Sequence, residues 1–135
     1  MKFRVWDKTK KCWLDYDEIF IDQEGEVFLI EERNWAYQSL MHKENITDKV
    51  EVVQYTGLKD KNDKEIYEGD VLLFNNDYPN AQKMDWKCVV KYRKGSFVCE
   101  YPKDGVYNHF DSWNVPKVTW EVIGNIYENP SLLEV

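Results

Sequence analysis

Short apolar runs separated by turn-forming residues recur along the whole chain, and almost no segment places its apolar residues at helical spacing. The runs at 27–30, 71–74 and 87–92 are rich in Val, Leu and aromatic residues, which favour pleated, half-buried surfaces. An aromatic fraction of 16% agrees with this preference. The spacing therefore predicts an all-β fold, with at most a minor helix or an irregular excursion in the polar stretch 31–49.

The turns divide the predicted strands into two regions. In 1–49, two pairs of apolar runs flank polar connections, which predicts two β-hairpins. From residue 50 onward, about five short strands suit a small closed barrel, because closure removes the exposed edges of short strands. We therefore divide the chain into an N-terminal β-hairpin region, 1–49, and a C-terminal barrel region, 50–135.

Gly, Pro and Asn mark the long loops and the strand breaks of the second region. Residues 75–85 and 102–117 are rich in these residues and predict two exposed loops. A strand is expected at 118–123, with a break at Gly124 and a continuation at 126–127.

The charge of the chain argues against wholesale nucleic-acid binding. The 25 acidic residues exceed the 18 basic ones, for a formal net charge of -7. The excess is spread evenly: residues 1–49 carry 8 bases and 11 acids, and residues 50–135 carry 10 and 14. Binding to phosphate backbones depends on Lys and Arg, so an acidic chain disfavours nucleic-acid partners outside a local basic patch.

Cysteine usage and the absence of long apolar runs indicate a reduced, cytoplasmic setting. Cys12, Cys88 and Cys99 are an odd number with no CxxC pair, which argues against a disulfide framework and a zinc site. Cys88 and Cys99 lie in apolar runs and are expected to be small core residues. The chain has no signal-peptide pattern at its start and no run near the ~20 apolar residues of a membrane span.

The turn-rich stretch 54–74, QYTGLKDKNDKEIYEGDVLLF, matches neither of two ligand-binding motifs. It lacks the GxxxxGK[ST] pattern of a phosphate-binding loop. As a calcium loop, it places Asp60 and Asn62 at ligand positions, but Lys64 is a cation where an oxygen ligand is needed. The stretch is instead interpreted as a turn cluster that directs the chain into the strand at 71–74.

No catalytic constellation is evident. His109 lies two residues from Asp111, and Cys99 is a conceivable partner, but His109 is expected in an exposed loop and Cys99 in a strand core. His42 has no partner in the pattern. The carboxylate clusters are expected to be solvated surface, and they are Asp15, Asp17 and Glu18, then Glu31 and Glu32, then Asp60 and Asp63. No cofactor is predicted.

Three segments resemble the YopX-type phage and prophage proteins. They are KFRVWD at 2–7, QYTGLKDKN with KEIYEGDV at 54–71, and VIGNIYENP at 122–130. Asp63, where a Gly is more usual, is a departure that a turn tolerates. Residues 31–49 and 75–86 match no part of that pattern.

The resemblance implies a protein encoded in phage or prophage DNA of Gram-positive bacteria. It also implies a mostly β structure whose second half is similar to an SH3-like barrel. It implies no reaction and carries over no catalytic residue.

Aromatic side chains in 102–117 form the first candidate interaction surface, which consists of Tyr107, Phe110 and Trp113. Aromatic residues in loops are typical of surfaces that bind proteins or further copies of the same chain. The alternative is that these side chains pack in the core. The favoured hypothesis is a non-enzymatic module that self-assembles or binds another protein.

Basic residues form an alternative surface, which consists of Lys87, Lys91, Arg93 and Lys94. Together with neighbouring aromatic residues, such a face is typical of single-stranded nucleic-acid binding, in which bases stack on rings beside a cationic groove. Nucleic-acid binding is therefore the second hypothesis. A phage enzyme is the third, since no set of nucleophile, base or metal ligands stands out.

Overall fold

A computed structural model describes residues 2–15, 17–33, 40–76, 86–102, 105–110 and 117–133. These ranges form antiparallel sheets with short 3₁₀ helices at Thr47–Lys49 and Pro130–Leu133, which confirms the all-β prediction. No helix in the described ranges is long and apolar enough to cross a membrane. The strands are β1 (Phe3–Asp7), β2 (Cys12–Leu14), β3 (Ile19–Ile21), β4 (Val27–Arg33), β5 (Leu40–Asn45), β6 (Val50–Lys59), β7 (Glu65–Tyr67), β8 (Asp70–Asn76), β9 (Trp86–Arg93), β10 (Ser96–Glu100), β11 (Tyr107–His109) and β12 (Val118–Asn125).

Two compact units make up the chain, an N-terminal unit, Lys2–Val53, and a C-terminal unit, Gln54–Val135. The division falls inside β6, which begins at Val50.

The N-terminal unit contains the two expected hairpins, β1 with β2 and β3 with β4. Strand alternation places Ile19 and Ile21 toward a core that includes the buried Val5 and Val27. The same alternation turns Phe20 away from this core, and Phe20 lies opposite Phe28 in the register.

The stretch 31–49 differs from the expectation of a short helix or an irregular excursion. Strand β4 continues to Arg33, and β5 pairs with it antiparallel from Leu40 to Asn45. Backbone hydrogen bonds to a neighbouring strand form this element, and such bonds need no apolar run. Only the single 3₁₀ turn at Thr47–Lys49 is helical in the described part of this stretch.

The C-terminal unit is organised by a five-stranded sheet in the order β11-β10-β9-β8-β12. The buried side chains on its inner face come from most of its strands, so the hydrophobic core extends across the whole sheet. They are Ile66, Leu72, Phe74, Cys88, Val90, Cys99, Phe110 and Val118. Cys88 and Cys99 are thus core residues, as predicted.

Three expectations for this unit are wrong, and the predicted loop at 75–85 lies mostly outside the described residues. Residues 107–109 form edge strand β11 within the predicted loop 102–117, because they pair with β10 through the backbone. Gly124 does not break β12 but marks a bulge in its pairing with β8. Residues 126–127, expected as strand, form a turn.

Gly69 is held on both sides by backbone hydrogen bonds. Its N–H donates to the carbonyl of Val90 at 2.8 Å, and its carbonyl accepts from the N–H of Ile126 at 3.0 Å. Its φ of +88° is a conformation that favours glycine. A Cβ at this position would lie 2.7 Å from Cε2 of Tyr127, so the close approach of the ring also requires glycine.

Replacing Gly69 by Ala should therefore destabilise the protein more than replacing Gly57. Gly57 has nearly the same φ, +86°, but a Cβ there meets nothing within 4 Å. We expect Gly57→Ala to lower the free energy of unfolding by about 1–2 kcal/mol through backbone strain. Gly69→Ala should lose a further ~1–3 kcal/mol through overpacking against Tyr127. Urea denaturation of both variants measures the difference, and equal losses would contradict the role of the ring.

Candidate interaction surface

The turn-rich stretch 54–74 is organised by one buried carboxylate, that of Asp60. Its Oδ1 accepts the backbone N–H groups of Asn62 and Lys64, each at 2.9 Å. Its Oδ2 accepts the N–H of Val122 in β12, also at 2.9 Å. The carboxylate is thus committed to backbone donors, which agrees with the interpretation of this stretch as a turn cluster.

The hydrogen bonds also change the acidity of this group. Burial works to raise the pKa of Asp60, but the backbone hydrogen bonds from Val122, Lys64 and Asn62, aided by the Lys64 charge, outweigh it. The pKa therefore lies below its ordinary value of 3.8. Because the folded state favours the ionised form, the stabilisation is present above the ordinary pKa and is lost as the pH falls through the lowered one.

Asp60→Asn should lower the free energy of unfolding by about 1–3 kcal/mol at neutral pH, because an amide has one acceptor oxygen and its NH2 group cannot accept a backbone N–H. The difference from the unsubstituted protein should shrink as the pH falls from 3.8 through the lowered pKa of the folded protein, where the native carboxyl becomes protonated. Urea denaturation across acidic to neutral pH measures both effects.

Asp63→Asn is the matched control, since the Asp63 side chain is 84% exposed. It should change the free energy of unfolding by less than about 0.5 kcal/mol. A loss at Asp60 that does not depend on pH would contradict the account of its ionisation.

The buried thiols of Cys88 and Cys99 are unsuited to nucleophilic chemistry. A hydrogen bond with Cys88, together with burial, raises the pKa of Cys99 above its ordinary value. Only the thiolate is a strong nucleophile, so Cys99 is held in its unreactive form. Cys99 also faces the core, whereas His109 pairs with Val98 and belongs to the opposite face of the sheet.

A thiol reagent should therefore modify one cysteine of the folded protein rapidly. Cys12 is exposed, whereas Cys88 and Cys99 are buried. We expect about one thiol to react before denaturation and the other two only afterwards. Counting the released chromophore tests this, and rapid reaction of more than one thiol in the folded protein would contradict it.

Strand alternation separates the three aromatic residues of the first candidate surface. Tyr107 belongs to the outer face of β11 and is half-buried. Phe110 is only 8% exposed and packs edge-to-face on Trp120 at a centroid distance of 6.1 Å, so its expected exposure is wrong. Trp113 lies outside the described residues. Of the three, Tyr107 is the described residue that remains near the surface.

The basic candidates lie along β9 and in the turn that follows it. Alternation places Lys87, Lys91 and Arg93 on the outer face, and Lys94 lies in the turn. Lys87, Arg93 and Lys94 are exposed, whereas Lys91 is half-buried. They are spread along the strand and do not converge on one point.

Arg93 connects the basic and the aromatic candidates. Its Nε donates to Oε2 of Glu100 at 2.9 Å, and its guanidinium lies 5.4 Å from the ring centroid of Tyr107. The carboxylate offsets the charge of Arg93, and the ring covers one side of it. The outer face of β9–β11 is therefore polar and aromatic at Arg93, Glu100 and Tyr107, whereas Val89 and Val98 on the same face are buried.

Two exposed apolar residues on this part of the sheet were missed by the sequence analysis. Tyr92 is 53% exposed and packs edge-to-face on Phe97 at 5.2 Å, and Val106 is 54% exposed just before β11. From the sequence, Tyr92 is expected to be a buried residue of a strand. The nearby turn at Lys94-Gly95 was the signal, because a residue at a strand end extends beyond the core.

The geometry of the described residues gives little support to a catalytic site or a metal site. Oγ of Ser96 lies 3.4 Å from Nδ1 of His109, too long for a strong hydrogen bond between nucleophile and base. Within the described ranges, no cluster of three or more His, Cys, Asp or Glu residues could hold a metal ion. Asp111, the suggested partner of His109, lies outside those ranges.

The fold and this surface define a class, a small all-β protein of two antiparallel units with mixed polar and aromatic strands. The chain belongs to the YopX family, whose model matches residues 2–134. The resemblance in the three sequence motifs is thereby confirmed.

Solved structures agree with this assignment. The chain is similar to protein EF1440 from Enterococcus faecalis, with 29% identity and a TM-score of 0.62 over 98% of this chain and 97% of that one. It is also similar to YopX from Bacillus subtilis, with 25% identity and a TM-score of 0.63 over 98% and 97% of the two chains. A comparison with curated proteins finds no match.

Proposed function

We propose that this protein is a non-enzymatic, self-associating module whose C-terminal unit makes a protein–protein contact through the β9–β11 part of its sheet. The observation that carries the proposal is the exposure of Tyr92 and Val106, 53% and 54%, which lie near opposite ends of β10: Tyr92 pairs with Phe97, and the Val106 carbonyl accepts the N–H of Tyr101. Aromatic residues are enriched where protein interfaces bury their energetically important contacts. Affinity comes from removing these side chains from water.

Membership of the YopX family supports a biological setting for the proposed self-association. In the proposal, the protein is encoded by a phage or prophage and acts in the cytoplasm of the bacterial host. The strands of the C-terminal unit form an SH3-like barrel, a fold that hosts many unrelated functions. The function must therefore be argued from the exposed residues and not from the fold.

Nucleic-acid binding is the second candidate, because Lys87, Lys91 and Arg93 share one face of β9. Two observations weaken it. Glu100 offsets the charge of Arg93, and the whole chain carries a net charge of -7. Binding to phosphates by few cations in an acidic protein would be weak and would fall steeply with salt.

Solution mass by light scattering, with absorbance at 260 nm recorded on the same peak, separates the two candidates. We expect a mass above that of the 16.3 kDa monomer and no excess absorbance at 260 nm. A monomer at all concentrations would contradict self-association. A peak with salt-labile nucleic acid would favour the second candidate.

Tyr92→Ser should raise the dissociation constant of the assembly by about tenfold or more, because a buried aromatic contact is lost. Leu58→Ser is the control, since Leu58 is also exposed, at 38%, and belongs to the same unit. It should leave the dissociation constant unchanged. Circular dichroism confirms that both variants fold, and equal effects of the two substitutions would contradict a specific surface.

A further inference from the structure

The N-terminal unit carries an apolar surface of its own on the outer side of β3 and β4. Phe20 is 43% exposed, and its ring lies 6.3 Å from that of Phe28 on the neighbouring strand. Ile30 follows Phe28 on the same face and is half-buried. The opposite face of these strands packs on the core of the unit, so this outer pair does not serve that core.

The charge around this pair is one-sided. Residues 15–32 include eight acidic residues and no Lys, Arg or His. Glu18 and Glu24 are exposed; Glu18 directly precedes β3, and Glu24 lies in the turn between β3 and β4. The backbone register pairs Ile30 with Lys43 of β5. We call the surface formed by Glu18, Phe20, Glu24, Phe28 and Ile30 the acidic face.

Such a surface fits a partner that presents an exposed ring or aliphatic side chain next to cations. Phosphate-rich partners do not fit, because the carboxylates repel them. The required chemistry occurs in this same chain at the end of the β9–β10 hairpin. There Tyr92 is 53% exposed and is followed directly by Arg93 and Lys94, with Lys91 just before it. We call residues 91–94 the basic tip.

We propose that the basic tip of one copy binds the acidic face of a second copy. This inference rests on the proposed role in self-association and specifies its partner surface. Tyr92 contacts Phe20 and Phe28, and Lys94, in the turn after β9, faces Glu18 and Glu24, while Lys91 adds positive charge from the other face of β9. The acidic face and the basic tip thus have opposite charges and complement each other between copies.

The geometry of this contact determines how the assembly grows. The two surfaces differ, so each bound copy still presents a free tip or a free acidic face, and assembly continues unless a ring closes. A hairpin end against two strands buries less than the ~1,200 Å² of a standard interface, so binding is weak. The mean mass should therefore rise with protein concentration and fall with added salt, which screens the exposed charges.

Complementary charge reversal tests the pairing with the protein itself as the probe. One variant combines Lys91→Glu with Lys94→Glu, and the other combines Glu18→Lys with Glu24→Lys. Each variant alone opposes like charges at the contact, and its dissociation constant should rise by about tenfold or more. An equimolar mixture of the two restores opposite charges at every contact, so it should recover the mass of the unsubstituted protein.

The control variant combines Lys10→Glu with Lys11→Glu in the β1–β2 turn. Lys11 matches Lys94 in backbone geometry, with φ of 54° against 50°. The control should associate like the unsubstituted protein, and circular dichroism checks that every variant folds.

The outcomes separate this inference from the proposed function. If the unsubstituted protein associates but the reversed variants associate equally well, or their mixture does not recover the mass, the tip and face pairing is overturned while self-association stands. If the unsubstituted protein is a monomer at every concentration, both are overturned. If each reversed variant associates more weakly by itself and the equimolar mixture recovers the mass of the unsubstituted protein, the pairing is supported.

Discussion

The carboxylate of Asp60 is the interaction on which the C-terminal unit most depends. It connects the turn at 60–64 to β12, far away in the sequence, through the N–H of Val122. Two bonds beside it reinforce the connection: Lys61 N–H to the carbonyl of Trp120 at 3.0 Å, and the Trp120 indole to the carbonyl of Lys59 at 3.2 Å. A buried charge is costly unless donors surround it, and here the donors are backbone groups of both segments. The carboxylate therefore couples the formation of the turn to the docking of the last strand.

The sequence predicts those strands whose apolar side chains mark them. It does not predict the strands that form mainly through backbone hydrogen bonds to their neighbours. Strands such as β8 and β10 were predicted because their apolar residues mark them directly. Strands β5 and β11 were missed because residues 40–45 and 107–109 are largely polar and are ordered by hydrogen bonds to neighbours. The burial of Phe110 was missed for a related reason, since it depends on the register of β11 against β10. The exposure of Tyr92 depends on where the core ends, which the apolar pattern of β9 alone does not show and the Lys94-Gly95 turn beside it indicates.

In this structure, the residues of the family motifs mainly determine the path of the backbone. Gly69 admits the ring of Tyr127, and the side-chain oxygen of Asn125 accepts the N–H groups of Tyr127 and Glu128. Asp70 accepts the N–H of Tyr67 at 2.8 Å. These residues belong to the segments by which the chain resembles its family, so that resemblance describes how the chain folds. The exposed residues argued to mediate association lie outside the three motifs.

The alternation along β11 places a constraint on the loop that precedes it. Tyr107 and His109 belong to one face of the sheet, and Asn108 and Phe110 belong to the other. A slip of β11 by one residue against β10 would exchange the two sets and direct Phe110 to water and His109 to the core. A slip of two residues would preserve both sets. The loop before β11 must therefore be long enough to keep Tyr107 opposite Glu100, whereas extra residues in the loop leave that register unchanged.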